Sequence, residues 1–126
     1  MDWLGDGVAT IESALRFRVA RQGVLAANVA NVDTPGYRRA DLAFDRALAR
    51  AGGALRRTDP RHLNPPGADA PGWRLEAGRG PTRPDGNDVS IDRELIALSR
   101  NASAFRQESE ALSRLFALRQ TAIGGR

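Results

Sequence analysis

Apolar residues recur at alternating three- and four-residue steps through the first part of the chain, from about Gly7 to Val32. The repeated positions are Val8, Ile11, Leu15, Gln22, Leu25, Val29 and Val32, and Arg18 fills the gap in the middle. This pattern predicts an amphipathic helix with an interrupted heptad seam. Asp6 is a candidate N-cap. Thr34-Pro35-Gly36 is expected to end the helix, because a residue before proline avoids the α conformation.

The same stepping returns near Ser90 and continues almost to the end of the chain. Its positions are Ile91, Leu95, Leu98, Ala102, Phe105, Leu112, Phe116 and Ile123. Ser90 is a candidate N-cap, and Asp92 and Glu94 place negative charge in the first turn, where the helix dipole favours it. The sequence therefore predicts a second, longer helix that ends at Gly124-Gly125.

The segment between the two helices has a different pattern. Ala40, Leu42 and Phe44 alternate with other residues, which predicts a short extended stretch. Residues 45–51 could form about two helical turns. Residues 52–88 are rich in glycine and proline and poor in large apolar side chains. We expect that stretch to be loose or to be ordered only by its neighbours.

These patterns predict a mainly α fold, in which the two terminal helices pair antiparallel as a coiled-coil-like hairpin and the irregular middle projects to one side. Phe105, Leu112 and Phe116 share one face of the second helix, because they lie seven and four residues apart. We expect this face to pack against Ile11, Leu15 and neighbouring subunits. Each seam is longer than one partner helix can cover, so the pattern indicates assembly with further helices.

Composition narrows the classes of function. The chain has 126 residues, 41% hydrophobic and only 6% aromatic, and carries a net charge of +4. Its 19 basic residues are all arginine, and they are interleaved with acidic residues instead of forming the basic stripe of a nucleic-acid-binding protein. Without cysteine there is no disulfide, thiolate nucleophile or cysteine metal site. No apolar run approaches the length of a membrane span.

Two other groups of residues were candidates for chemistry. His62 is the single histidine, and Asp59 precedes it within a stretch typical of a turn, which is a poor match to a catalytic base. Asp85-Gly86-Asn87-Asp88 resembles a calcium loop only superficially, because Glu94 comes too early to be the bidentate ligand. We therefore predict no catalytic residue, no metal ligand and no cofactor, and that the protein is not an enzyme.

The most informative stretch runs from Asn28 to Tyr37 and reads Asn-Val-Ala-Asn-Val-Asp-Thr-Pro-Gly-Tyr. Asparagine is a poor helix former, yet Asn28 and Asn31 share one face near the end of the predicted helix. Their amides could bridge backbone groups across a packed interface. They could also form a C-terminal cap before a Pro-Gly turn, and the residues alone leave both possibilities open.

The run from Arg21 to Tyr37 closely resembles the N-terminal signature of the bacterial flagellar rod and hook proteins. Gly23 departs from the acidic residue expected at that position. Shorter matches cover most of the chain and point to a proximal rod subunit of this family. They are Asp41-Leu42-Ala43-Phe44, Thr58-Asp59-Pro60-Arg61-His62-Leu63, Asp85-Gly86-Asn87 before Val89, and Leu118 to Gly125.

The resemblance implies a structural subunit of the proximal rod in the flagellar basal body, within the periplasm. Its terminal helices, in residues 1–33 and 89–126, would form the rod core, and residues 34–88 would lie between them. Implied roles are polymerisation, torque transmission and lining of the export channel. Implied partners are other copies, other rod proteins, the inner-membrane ring with its adaptor proteins, and the type III export apparatus. Nucleic acid and direct membrane insertion are not implied, nor is a cleaved signal peptide.

The sequence and the resemblance together predict two sets of functional residues. Phe44 and Leu48 fit the Phe-x-x-x-apolar pattern of early flagellar export substrates, although such pairs are also ordinary helix neighbours. The predicted subunit interface consists of Ile11, Leu15, Leu25, Asn28, Asn31, Thr34, Pro35, Gly36, Tyr37, Leu98, Phe105, Leu112 and Phe116.

Two alternative functions remain. One is a soluble coiled-coil adaptor, which leaves Thr34-Pro35-Gly36-Tyr37 unexplained, and the other is a basic helical nucleic-acid-binding protein.

Overall fold

The computed structural model describes residues 3–45 and 72–125. They form helix α1 (Trp3–Ala30), strand β1 (Ala40–Phe44), strand β2 (Trp73–Ala77) and helix α2 (Ile91–Gly124). Four features of the sequence fall outside the described residues. They are the predicted helical turns after Asp45, the residue Leu48, the stretch around His62, and the first part of the glycine- and proline-rich segment. The mainly helical fold with a less regular middle is confirmed.

The two helices have slightly different boundaries from those predicted. Helix α1 begins at Trp3, so Asp6 lies within its first turn and the prediction that Asp6 is the N-cap is wrong. The helix ends at Ala30, before the proline, and residues 31–36 form a turn. Helix α2 begins after Ser90, as predicted, but the Ser90 side chain makes no capping hydrogen bond. With 34 residues, α2 is about 50 Å long.

The helices pack antiparallel, and the structure does not show a coiled-coil pairing. Three polar residues at seven-residue spacing, Glu94, Asn101 and Glu108, point from α2 towards α1. Their partners on α1 run in the opposite direction, from Asn28 through Gln22 to Arg18. The expected coiled-coil seam is therefore wrong, because hydrogen bonds and ion pairs occupy positions that a coiled coil fills with apolar side chains.

Strands β1 and β2 form a two-stranded antiparallel sheet, with Leu42 paired to Leu75 and Phe44 to Trp73. The extended stretch at β1 is confirmed, whereas β2 was not predicted. The sheet packs on α1 through the buried ring of Phe17, whose centroid lies 5.4 Å from that of Phe44 and 6.1 Å from that of Trp73. A two-stranded sheet is marginal by itself, so this aromatic cluster anchors it.

Few large apolar side chains are buried in the described residues. Phe17, Leu25 and Val89 are the hydrophobic members, while the buried polar set comprises Asn28, Asn87, Asp88, Glu94 and Asn101. Polar pairing, more than a thick apolar core, thus fixes how the helices and the sheet meet.

In residues 3–45 and 72–125, no helix combines the length and apolarity that crossing a membrane requires.

Candidate assembly site

Asn28 is the centre of the junction between the helices and the sheet, and its side chain is fully buried. Its Nδ2 donates to the carbonyl of Ala40 at 2.7 Å and to Oε2 of Glu94 at 3.0 Å. Its Oδ1 accepts from the amide of Ala40 at 3.1 Å and from the hydroxyl of Tyr37 at 3.2 Å. One amide thereby joins α1, β1 and α2. The bridging role inferred for this amide is present, but within a single chain.

A charged network surrounds this amide. Arg39 Nε donates to the fully buried carboxylate of Glu94 at 2.6 Å. Arg21, on α1, makes a bidentate pair with Asp41 on β1, at 2.8 and 2.9 Å. The pKa of Arg39 is raised, chiefly by its hydrogen bond to Glu94. These pairs hold the sheet and both helices in one arrangement, since a buried carboxylate is costly without its cation.

The carboxyl group of Asp41 makes this network sensitive to acid. Burial favours its neutral form, but hydrogen bonds from Arg21 and from the Leu42 amide, together with the charges of Arg21 and Arg39, lower its pKa below 3.8. A lowered folded-state pKa contributes stability above the unfolded pKa, and that stability is lost as pH falls through the folded value.

We therefore expect the free energy of unfolding to start falling near pH 4, the ordinary pKa of an aspartate, and to fall further below it. Urea unfolding at a series of pH values measures this dependence. Asp41→Asn, which cannot titrate, is expected to flatten the acid limb. Parallel curves for the wild type and Asp41→Asn would contradict the role given to this carboxyl group.

The turn that follows α1 is held by a second turn from much later in the chain. The Nδ2 of Asn87 lies within hydrogen-bonding distance of the carbonyls of Asn31, Val32 and Thr34, at 2.9 to 3.1 Å. Its Oδ1 accepts from the Val89 amide. These three carbonyls belong to the turn that follows the end of α1 at Ala30. Asn87 therefore ties this turn to the segment that leads into α2.

Two glycines let this turn approach the helix end. Gly36 and Gly86 both have positive φ, at 73° and 84°, which a side chain makes unfavourable. A Cβ on Gly86 would also lie 3.2 Å from the Cα of Gly36. The Gly36 amide donates to the Asp85 carbonyl at 2.8 Å. The Asp85–Asp88 turn is therefore held directly against the turn that follows α1.

Asp88 extends the same turn towards β1. Its buried carboxylate accepts from the Arg39 backbone amide, and its Oδ2 lies 3.3 Å from Nε of Arg38. Among residues 3–45 and 72–125, no group of three or more His, Cys, Asp or Glu side chains is placed to hold a metal ion. The acidic residues of this turn are thus engaged in holding the chain to itself.

The predicted interface residues have quite different environments. Leu25 and Asn28 are fully buried within the chain, while Ile11, Leu15, Asn31, Tyr37, Leu98 and Leu112 are half-buried. Asn31 caps its own helix by donating to the Ala27 carbonyl and accepting from the Thr34 hydroxyl. Thr34, Pro35 and Gly36 are exposed. Phe105 and Phe116 keep 38% and 50% of their surface open, so the face they share is only partly covered by α1.

Large apolar side chains remain open along α2 and on its neighbours. An exposed set of this size on a small chain indicates contact with other molecules. Its members on α2 are Ile91, Leu95, Ile96, Phe105, Phe116, Leu118 and Ile123, and those elsewhere are Val19, Phe44 and Leu75. Of the proposed export pair, Phe44 packs edge-on against Phe17, and Leu48 lies outside the described residues.

Several residues of this junction were not recognised from the sequence as functional. Asn87, Asp88 and Glu94 were not among the predicted interface residues, yet all three are buried. Asn87 and Asp88 bond to the segment between α1 and β1, and Glu94 bonds to Asn28 on α1. A usable signal was the polar seven-residue spacing of Glu94, Asn101 and Glu108. Nothing local indicated that Asn87 would reach the end of α1, because the contact joins residues more than fifty positions apart.

Comparison with known proteins agrees with this geometry. A family model described as flagella basal body rod protein matches residues 10–38, which include the Asn28–Tyr37 stretch. The chain is 35% identical to flagellar basal body rod protein FlgB of Escherichia coli K12, over 90% of this chain and 89% of that protein. It is 35% identical to FlgB of Cereibacter sphaeroides, over 95% of each. FlgB of Bacillus subtilis is 27% identical, over 94% and 93%. The chain therefore belongs to the flagellar basal body rod protein FlgB family.

Proposed function

We propose that this chain polymerises through its two terminal helices to build the proximal rod. These helices lie within residues 1–33 and 89–126. The proposed roles of the assembled rod are to transmit torque and to line the export channel. As a member of the FlgB family, the chain is a structural rod subunit of the flagellar basal body and not an enzyme. The family supports this function over the alternatives of a soluble adaptor and a nucleic-acid-binding protein.

The observation that supports helix-mediated polymerisation is the division of α2 into two kinds of surface. Its inner positions Glu94, Asn101 and Glu108 make hydrogen bonds to polar groups of α1. Many of its large apolar residues, including Leu95, Phe116 and Leu118, are half exposed or more. Burial of such surface is worth roughly 25 cal/mol per Å², so each copy added to a helical array gains stability from it.

The proposed partners are other copies of this chain, other rod proteins, and the inner-membrane ring with its adaptor proteins. The proposed route to the periplasm is the type III export apparatus, without a cleaved signal peptide, with Phe44 and Leu48 at the export gate. In the folded chain Phe44 packs on Phe17. Because only 38% of its surface stays exposed, recognition of the whole side chain during export would require its release from Phe17.

The polymerisation proposal is tested by Phe116→Asp. Phe116 is half exposed, so we expect the isolated chain to lose no more than about 1 kcal/mol, as is usual for surface changes. In a rod the same carboxylate would be buried without a cation, so incorporation into purified basal bodies is expected to fail. Thermal unfolding and immunoblots of basal bodies measure the two effects.

Gln107→Asp, an exposed polar position on the opposite side of the same helix, is the matched control and is expected to assemble normally. A fragment ending at Ser90, which lacks α2, is expected never to enter a rod. Functional rods built from that fragment, or from Phe116→Asp at wild-type levels, would be incompatible with assembly through the terminal helices.

A further inference from the structure

A groove of about 510 Å³ runs between α1 and α2. Its apolar wall is formed chiefly by Val19, Gly23, Ala26, Ala102 and Phe105. Val19 is 62% exposed, and a Cβ placed on Gly23 would meet no atom within 4 Å. Glycine therefore keeps the α1 side of the groove open to a close approach by another chain.

The polar groups of the groove give it a positive bias. Arg18 is neutralised by Glu108, which accepts from it at 3.0 and 3.1 Å. Arg106 is exposed and makes no ion pair with the part of the chain that the structure describes. Asn101 is buried in the groove wall, and its Oδ1 has no hydrogen-bond donor among those residues. Because Arg106 is a cation without an ion pair in that part of the chain, the groove suits an apolar occupant that carries negative charge close to Arg106. The Oδ1 of Asn101 is an acceptor and suits a hydrogen-bond donor of the occupant.

The two ends of this chain differ sharply as possible occupants. Residues 1–15 contain three acidic side chains, Asp2, Asp6 and Glu12, and no basic one. Residues 111–126 contain three arginines and no acidic side chain. Beside a free Arg106, the C-terminal end would be repelled and the N-terminal end attracted. The first turns of α1 also expose Asp6, Ala9 and Thr10, which are small enough to lie close to Gly23.

We propose that this groove receives the acidic first turns of α1, residues 3–12, from a second copy of the chain. The proposal rests on the proposed polymerisation and specifies which surfaces meet in it. Asp6 of the incoming helix pairs with Arg106, and apolar residues of its first turns cover Val19 and Phe105.

The chain has no cysteine, so cross-linking through introduced thiols is unambiguous. Gly23→Cys is combined, in the full chain, with Gly5→Cys, Asp6→Cys, Ala9→Cys or Thr10→Cys in turn. Both positions of each pair lie on α1, at least about 20 Å apart along the helix. A disulfide needs Cα atoms within about 7 Å, so any disulfide joins two copies. We expect disulfide-linked dimers in oxidised, purified basal bodies for at least one pair, and none for either single cysteine.

Charge reversal tests the specific contact. Arg106→Glu is expected to lower the cross-linked fraction about tenfold, since like charges at an interface are strongly unfavourable. Adding Asp6→Arg to the Arg106→Glu chain is expected to restore the cross-linked fraction. Arg100→Glu, an exposed reversal on α2 that does not line the groove, is the matched control and is expected to leave cross-linking unchanged.

Basal bodies that contain the chain but show no cross-link at any of the four pairs would overturn the groove assignment and leave rod membership intact. A cross-link from Gly23→Cys to Gln120→Cys in its place would assign the groove to the basic C-terminal turns and overturn the proposal equally. Absence of every variant, and of the wild type, from basal bodies would contradict the proposed function on which the inference rests.

Discussion

Asn28→Leu is expected to destabilise the isolated chain by about 3–5 kcal/mol, a large part of the stability of a small domain. Leucine is the better helix former, so α1 itself would tolerate the change. The loss comes from the junction, where both backbone groups of Ala40 and one oxygen of the buried Glu94 would lose their partner. Urea unfolding followed by circular dichroism measures the effect.

Asn31→Leu is the matched control, because it removes a similar amide three residues further along the same helix. Asn31 is only half-buried, and its Nδ2 serves the carbonyl of its own helix at Ala27. A cost of about 0.5–1.5 kcal/mol is expected, the usual net value of one hydrogen bond. From the sequence, the two asparagines were equivalent candidates for assembly contacts. Similar losses for both variants would show that Asn28 is not the centre of the junction.

Arg39→Met is expected to cost about 3–5 kcal/mol, because it leaves the fully buried carboxylate of Glu94 without its cation. Methionine keeps much of the apolar stem of the side chain, so the loss reports mainly on charge. In the Arg39→Met background, Glu94→Gln is expected to recover part of the stability. In the wild-type chain, Glu94→Gln is expected to lower the free energy of unfolding. A double-mutant cycle measures this coupling.

Arg74→Met provides the comparison for an exposed pair. Arg74 lies on β2, is 63% exposed and pairs with Glu76 at 2.9 Å. Exposed ion pairs contribute about 0–1 kcal/mol, so this substitution is expected to change the unfolding midpoint little. Additive effects of Arg39→Met and Glu94→Gln, or an Arg74→Met loss equal to that of Arg39→Met, would refute the importance of the buried pair.

Periodicity alone located both helices to within a few residues, because amphipathic patterns tens of residues long leave little freedom. The alternation at Ala40, Leu42 and Phe44 also located β1. Periodicity failed to find β2, whose sequence Trp-Arg-Leu-Glu-Ala lies in a stretch rich in glycine and proline. That strand is stabilised by its pairing with β1 and by the contact of Trp73 with Phe17, which tertiary structure alone provides.

The coiled-coil expectation failed for a specific reason. Phe105, Leu112 and Phe116 of α2 were expected to face Ile11 and Leu15 of α1, and no polar residue of α2 was assigned to that contact. The structure instead turns Glu94, Asn101 and Glu108 inward, because matching groups lie on α1 at Asn28 and Arg18 and just before β1 at Arg39. Recognising this arrangement requires matching two distant segments residue by residue, and the hydrophobic pattern of one helix does not contain that information.

The polar contacts between α1 and α2 also fix the register of the two helices against each other. An apolar seam can slide by seven residues and still bury leucine against leucine, whereas here such a slip would carry Glu94 about 10 Å away from Asn28 and Glu108 equally far from Arg18. Buried charges would then lack partners, so one alignment is strongly favoured. Every copy consequently presents its outer apolar residues at the same height, so that under the proposed polymerisation the repeat distance of the array would be set by hydrogen bonds inside each copy.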